Sequence, residues 1–514
     1  MKKYQSKIAL LSCLVLLLGF VFGLGNGSVV LAAEEPTKVI YGADTEMTSI
    51  SPFEKGVQGC QTYQIAVYEY LLTPMEDGTF APALAESCEW QDDNTILIQL
   101  REGVKFHDGS DFTTEDVMAS IATIAKGTRE APRYAMILQD ECYSEGDYTL
   151  YIKTTGYNAP LISNLARVPM CDKDWLDSND SYDQISNGTG PYMLDAWNMG
   201  VDLVLVRNPE YWDAENVPYY DIVDIRFFND GTTAFLEFEA GNLDVVYVQS
   251  AEDIDTMLNF GMDGAYIVST SLGAVTMLNM SQMVEDTPFT DINLRKAIAH
   301  AIDWETLISA ICGNGAILAN SVIASSDANH VDQEIYAYDP DLARECLEQY
   351  KADHGIDGDF ELATVVSAKD YNVALCEAMQ AYLAEIGITL KIDSMQHSEF
   401  NALAASGGIT LTINQMPNGA DSHAGFMAME RGSGNMTAEI TDDTICDLIA
   451  KATETKDPAE RSEMYAEIQQ LMHDGYWAIP MFEGLHYFAA RDGIQGLFFQ
   501  GPDFQLRVQN LYAE

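Results

Sequence analysis

The chain predicts an α/β architecture divided into two or three lobes, and three observations carry that expectation. At 514 residues it is too long for one hydrophobic core, because cores stop growing at about 250–300 residues. Its 47% hydrophobic and 21% charged residues are those of an ordinary globular protein and exclude a disordered one. Strand-like and helix-like segments are interspersed along the whole sequence, with no internal repeat and no low-complexity linker, the pattern of mixed α/β or α+β lobes.

The first 33 residues stand apart from the fold. Lys2, Lys3 and Lys7 precede an apolar run from Ile8 to Leu24, and Val30-Leu31-Ala32-Ala33 closes the segment. A charged start, an apolar middle and a small-residue end predict a signal peptide over residues 1–33, cut after Ala32 or Ala33. The mature chain is then secreted and extracytoplasmic. Two routes to a tether on the outer face of the membrane stand beside cleavage: lipidation at Cys13, within Leu10-Leu11-Ser12-Cys13, or retention of the apolar run. Apolar residues continue past Cys13 to Leu24, which puts that cysteine inside the run instead of at its end.

Removing residues 1–33 takes away three lysines and no acid, leaving 24 basic against 79 acidic residues, a formal charge of −55. Phosphate binding needs a basic surface, so nucleic acid is excluded as a partner. The acidic field keeps an exported protein soluble and would also attract cationic solutes. Eight cysteines remain: Cys60, Cys88, Cys142, Cys171, Cys312, Cys346, Cys376 and Cys446. An even count in an exported chain permits disulfides, but Cys346 and Cys376 fall on apolar helix positions, where cysteine acts as a small hydrophobe. No C-x-x-C spacing occurs.

The elements follow in chain order. Thr95–Leu100 is rich in β-branched residues and places Ile96, Ile98 and Leu100 on one face of a strand. Asp108-Gly109-Ser110 is turn chemistry, and Thr113 with Asp116 three residues on opens a helix with a capping box. A helix starts near Asp291 with Leu294, Ala297, Ile298 and Ala301 on one face, and Asp303 caps the next. Asp339-Pro340 and Asp457-Pro458 each put an acid before a proline at the first helical position, with Glu460 completing a second box. The helix carrying Leu375, Met379, Tyr382, Leu383 and Ile386 stops at Gly387, and Ile388–Ile392 then alternates as a strand.

Motifs for covalent chemistry are missing. There is no G-x-S-x-G, no H-E-x-x-H, no Walker A string and no EF-hand loop, and the eight histidines have no metal-ligand spacing. Gly188-Thr189-Gly190 is followed by proline and a strand, and Ser433 sits between glycines in a loop. The chain is therefore expected to be no enzyme and to need no cofactor or metal.

Five stretches carry a resemblance. Leu100 to Val117 (LREGVKFHDGSDFTTEDV) closely resembles a signature of the oligopeptide- and dipeptide-binding family of extracellular solute receptors that serve ABC importers. Tyr68 to Glu86 (YEYLLTPMEDGTFAPALAE), Gly188 to Trp212 (GTGPYMLDAWNMGVDLVLVRNPEYW), Pro288 to Ile308 (PFTDINLRKAIAHAIDWETLI) and Ile468 to Phe482 (IQQLMHDGYWAIPMF) repeat it in the expected order. The resemblance implies a two-lobed periplasmic-binding-protein-like clamp with an inserted subdomain. Residues 34–56, 175–272 and 484–514 would form lobe I, 57–174 the subdomain and 275–482 lobe II, with hinge crossings near 272–279 and 480–484. His107 would be structural.

It also implies a function: capture of a peptide or peptide-like polar solute, as a monomer, and delivery to an ABC permease by closure of the lobes. By position in the family fold, Thr45, Glu46 and Met47 would face the cleft, and Tyr247 and Gln249 would line it. In peptide-binding members the loop matching Asn414 to Phe426 (NQMPNGADSHAGF) carries an aspartate that pairs with the peptide α-ammonium, preceded by a tryptophan. Anchored on Asp421 the aspartate position falls on Asn418, anchored on Phe426 it falls on Gly419, and the tryptophan position falls on Gln415. Asn418 accepts a hydrogen bond but offers no charge. Asp421 is the nearest substitute, and Met416, His423 and Arg431 complete the candidates, an arginine suiting a ligand carboxylate. The altered loop keeps two alternatives open: a non-peptide solute such as an oligosaccharide, metal chelate or modified amino acid, or a receptor that presents its ligand to a membrane sensor.

Overall fold

The computed structural model describes residues 36–514 apart from 45, 47–48, 54–57, 76–78, 127–130, 283, 285, 369–370, 416–421, 430, 432–438, 498 and 501–504. The signal segment and the candidates Thr45, Met47, Met416, Asn418, Gly419 and Asp421 lie outside the described residues.

The locally signalled elements form where their chemistry put them. Strand Thr95–Leu100 buries Ile96, Ile98 and Leu100 completely between antiparallel neighbours Ala85–Asp92 and Thr149–Lys153. Helix Thr114–Ile124 follows. Its start is the expected capping box, and one oxygen of the Asp116 carboxylate accepts both the Thr113 backbone N–H (2.7 Å) and the Thr113 hydroxyl (2.9 Å). The other oxygen accepts from Lys173 N (2.8 Å), so this buried acid joins the helix start to a chain segment 57 residues away. Asp291, Asp303, Asp339 and Asp457 cap their helices by accepting backbone N–H groups. Glu460 joins through its backbone N–H (3.1 Å), while its side chain stays in solvent. Gly387, at φ +93°, takes the left-handed turn between helix Asn372–Glu385 and strand Ile388–Met395 that a Cβ would disfavour.

One nine-stranded sheet organises the molecule. Its order is Leu411–Gln415, Ala265–Met280, Ala478–Arg491, Val245–Val248, Lys38–Ala43, Ile222–Phe227, Asp202–Arg207 and Tyr192–Asn198, with Ala316–Leu318 joined to Ala478–Arg491. Lys38–Ala43 pairs in parallel with both Ile222–Phe227 and Val245–Val248. The two longest strands, Ala265–Met280 and Ala478–Arg491, pair along their length, but their register breaks between Ser271/Leu485 and Val275/Glu483. Gly273, at φ +62°, sits in that break. An interrupted ladder bends more easily than a continuous one.

Buried apolar side chains collect around this frame in separate regions. Val39, Tyr41, Tyr192, Val223 and Phe488 form a core on one side of the register break, continued by Phe235, Phe238 and Ile254. On the other side Leu278, Leu294, Ile298, Trp304, Leu375 and Met379 form a second, with Val275, Met277, Phe426, Ile449 and Tyr465 beside it. A third runs from Leu71 to Met170 and holds strand Thr95–Leu100. Helix Gln58–Val67, which the sequence division placed in the inserted piece, packs Tyr63, Ala66 and Val67 into the first core. Its buried face is complementary to that sheet, and the third core begins only at Leu71. Seven cysteines (Cys88, Cys142, Cys171, Cys312, Cys346, Cys376 and Cys446) are free thiols, and Cys346 and Cys376 are buried among apolar helix residues. Among the described residues no helix is long and apolar enough to cross a membrane.

Candidate functional site

In an open α/β sheet, ligands bind in the crevice beyond the carboxyl ends of the parallel strands. Here those ends are Ala43, Phe227 and Val248. Several groups gather at this edge. Glu46 follows the first strand, Asp230 and Gly231 open a helix after the second, and Gln249 follows the third. The turn between Tyr192–Asn198 and Asp202–Arg207 lies at the same edge, since Asp202 pairs with Arg226. Both long strands leave this edge toward the second core, passing the register break as they go.

Each described candidate has a definite place. The Glu46 carboxylate accepts from Trp197 Nε1 (3.1 Å) and Gly200 N (2.7 Å), so it anchors the 198–202 turn across the sheet edge. That turn carries Met199 and Val201, 58% and 61% exposed. No local pattern announces this contact, because a strand alternation does not reveal which acid a hairpin tip will meet. Tyr247 is half-buried on the central strand opposite Phe488, its ring 5.0 Å from His486 and 5.3 Å from Phe488. Gln249 is exposed and packs on the helix start at Gly231, where a Cβ would stand 2.8 Å from Gln249 Cβ. Gln415, also exposed, ends the strand whose register reaches Thr276, one residue beyond the break. One continuous sheet therefore carries Tyr247 and Gln415 from opposite sides of that break.

Two candidates are engaged elsewhere. His423 is fully buried, with Nε2 2.8 Å from Thr453 Oγ1 and Nδ1 3.1 Å from the Tyr465 hydroxyl. Thr453 Oγ1 gives its own proton to the Ile449 carbonyl (3.1 Å), so the ring donates from Nε2 and accepts at Nδ1 as a neutral imidazole. Burial, with Arg461 nearby, lowers its pKa to about 4. A histidine whose ring nitrogens are both spent inside a core belongs to the packing of that core. Arg431 is exposed and held by the Thr441 carbonyl and by Asp443 Oδ1 (2.9 Å).

The sequence motifs themselves converge away from this edge. Glu69, from the stretch beginning at Tyr68, accepts from Thr189 Oγ1 (2.8 Å), the Tyr211 hydroxyl (2.9 Å) and Trp212 Nε1 (2.8 Å), all from the Gly188–Trp212 stretch. Burial without a cation raises its carboxyl to about pKa 7, against the opposing pull of the three donors. His107, from the Leu100–Val117 stretch, reaches the same stretch: Nε2 lies 3.0 Å from the Gly190 carbonyl, and Nδ1 accepts from Gly188 N (3.4 Å). Burial lowers its pKa to about 4. Gly188 and Gly190 pass so close to the Val67 carbonyl that a Cβ at either would fall 2.0–2.7 Å from it. Thus Gly188-Thr189-Gly190 is a packing device, as the proline and strand after it suggested, and His107 is structural.

Comparison with known proteins finds a matching family and a shared fold. Residues 79–438 match the model for the middle region of bacterial extracellular solute-binding proteins, family 5. The chain is 22% identical over 464 residues to heme-binding protein A of Haemophilus influenzae, covering 82% of each chain. It is 23% identical over 469 residues to the glutathione-binding protein GsiB of Escherichia coli, covering 88% of this chain and 90% of the relative. The ABC transporter-associated periplasmic binding protein DppA of Helicobacter pylori, solved in complex with the peptide STSA, superposes with a TM-score of 0.77 at 20% identity, over 93% of this chain and 99% of DppA. These structural likenesses establish the shared fold.

Proposed function

The chain belongs to family 5 of the bacterial extracellular solute-binding proteins, and we propose that it captures a peptide or peptide-like polar solute outside the membrane and passes it to an ABC permease. It is a solute-binding protein and not an enzyme. The observation that supports the clamp reading most strongly is that, among the described residues, two long strands of the nine-stranded sheet run from one core to the other, both losing register at Ser271–Val275 and Leu485–Glu483. Lobe I would comprise the core around Tyr41 and Phe488, lobe II the cores around Trp304 and Phe426, and the inserted subdomain the core from Leu71 to Met170. Bending at the register break brings the carboxyl edge of the parallel strands toward the Gln415 end of lobe II. A solute touching both has the differential affinity for the closed state that closure requires.

Tyr247, Gln249 and Gln415 are the described residues best placed to meet the ligand, with Met47, Met416, Asn418 and Asp421 as neighbours by sequence. Tyr247 offers an aromatic face beside a polar edge, the mixed lining of solute pockets. A non-peptide solute is the second reading, motivated by Asn418 and Gly419 at the position of the ammonium-pairing aspartate. The relatives that bind heme and glutathione show how far ligands range within such matches. Monomeric action, and retention at the outer face of the membrane after export, complete the proposal.

Thermal-shift screening of the mature protein against di- to pentapeptides, glutathione, oligosaccharides, heme and metal chelates tests it. Peptides are expected to raise the melting temperature in a concentration-dependent manner. A shift with another solute and none with any peptide would overturn the peptide reading while leaving the clamp intact.

A further inference from the structure

Apart from the two long strands, a second junction joins the inserted subdomain to lobe II. Ala159 N donates to the Thr453 carbonyl (2.8 Å). Lys456 Nζ pairs with the Asp93 carboxylate and lies 5.4 Å from the centre of the Tyr157 ring. The partners on one side belong to the 85–159 region, and those on the other to the last turn of helix Asp443–Glu454 (Thr453) and its connection to helix Pro458–Asp474 (Lys456). We propose that this junction is a clasp, in which Lys456 and the Thr453 carbonyl hold the subdomain against lobe II and so favour the closed, ligand-retaining arrangement. The proposal rests on the clamp reading above, but not on the ligand being a peptide.

Both halves are shaped before they meet. On lobe II, Arg461 Nη1 donates to the carbonyls of Thr455 (3.1 Å) and Lys456 (3.3 Å), and the Thr455 hydroxyl closes on the Lys451 carbonyl (2.8 Å). Thr453 is tied to the buried His423, which fixes the backbone whose carbonyl faces Ala159. On the subdomain, Asp92 Oδ1 accepts from Asn94 N (2.8 Å), and Asn94 Nδ2 donates to the Thr154 carbonyl (3.2 Å), setting the tight turn that presents Asp93. Tyr157 leans on Trp90 with ring centres 4.8 Å apart. Little ordering entropy is left to lose on contact, the condition for a few weak bonds to act as a reversible fastening.

Strength also suits a clasp. Lys456 and Asp93 are 60% and 67% exposed, so their attraction is screened and shifts an equilibrium only about two- to fivefold. The exposed cation–π contact adds a comparable factor. Contacts of this size bias opening without preventing it. In a chain with 79 acids and 27 bases, a lysine set between an acid and an aromatic face is also a directed choice of partner.

Hydrogen exchange of the ligand-free mature protein reads the clasp at the Ala159 amide, since residue 160 is proline and contributes no N–H. Lys456→Gln is expected to speed exchange at Ala159 about two- to fivefold, and raising salt should do the same in the native chain. Lys456→Arg, which keeps charge and ring contact, should restore protection, as should the paired exchange of Asp93→Lys with Lys456→Asp. With whichever solute the screen identifies, Lys456→Gln should raise the dissociation rate by a similar factor. Unchanged exchange at Ala159, or faster exchange with an unaltered dissociation rate, would overturn the proposal. A screen that finds only a non-peptide ligand would overturn the peptide reading and leave this test standing.

Discussion

The junction around Glu69 and the carboxyl edge of the sheet are built on opposite principles. At the junction polar groups are spent on other parts of the chain: three donors on Glu69, both ring nitrogens of His107, two glycines pressed against the Val67 carbonyl. Gln249, Met199 and Val201 at the sheet edge, and Gln415 across the register break, are exposed and bound lightly or not at all to the rest of the fold. The first arrangement tolerates few residues at each position, which is why its strings identify the family. The second leaves side chains free for a solute, which is why the same strings do not specify the ligand.

The largest effect that separates the two regions comes from Glu69→Ala. Three donors, one buried and two half-buried, would lose their acceptor, and unfolding by denaturant should show a loss of about 3 kcal/mol, with solute affinity of the folded protein unchanged within about twofold. A large loss of affinity with normal stability would erase the distinction.

Titration comes next. Glu69 has a folded-state pKa raised to about 7, so unfolding releases its proton between pH 4.5 and 7 and stability falls as pH rises through that window, by at most about 3 kcal/mol. His107 and His423, lowered to about 4, act the other way: stability is lost as pH falls from 6.5 toward 4, where unfolding takes up their protons. The two slopes offset each other in the native chain. Glu69→Gln removes the first, and its unfolding free energy should fall more steeply on acidification from pH 6.5 to 4.5 than that of the native protein. Parallel curves would show that Glu69 is not held neutral by burial.

Smaller effects belong to the candidate ligand-binding residues. Asn418→Asp should leave stability within about 0.5 kcal/mol yet tighten binding of a free-amino peptide about five- to tenfold by calorimetry, because the new carboxylate would meet the ammonium. Equal affinities would place Asn418 away from that group. Gln249→Ala should be the mildest, neutral in stability and about two- to fivefold weaker in binding. A larger change would make Gln249 a main anchor of the ligand.

Much of the scaffold was legible in the sequence because its determinants are local. The alternation in Thr95–Leu100, the acid before each proline, and Gly387 after an apolar helix specify conformation within a few residues. Distant pairings were not legible. Nothing near Glu69 announces Thr189, Tyr211 and Trp212, more than a hundred positions away, and only the resemblance brought the stretches together. The packing of helix Gln58–Val67 was not legible for the same reason, since its buried face meets a sheet assembled from distant parts of the chain. His423 illustrates the converse: as a polar residue in a loop-like string it suggested a ligand contact, whereas Thr453 and Tyr465 enclose it.

A crystal structure of the protein with the solute that most raises its melting temperature tests the division between scaffold and site most directly. The ligand should lie beyond the carboxyl ends of Lys38–Ala43 and Val245–Val248, touching Tyr247, Gln249 or Gln415, with the Glu69 and His107 hydrogen bonds unchanged. A ligand seated instead on Glu69, His107, Thr189 or Trp212 would contradict the account.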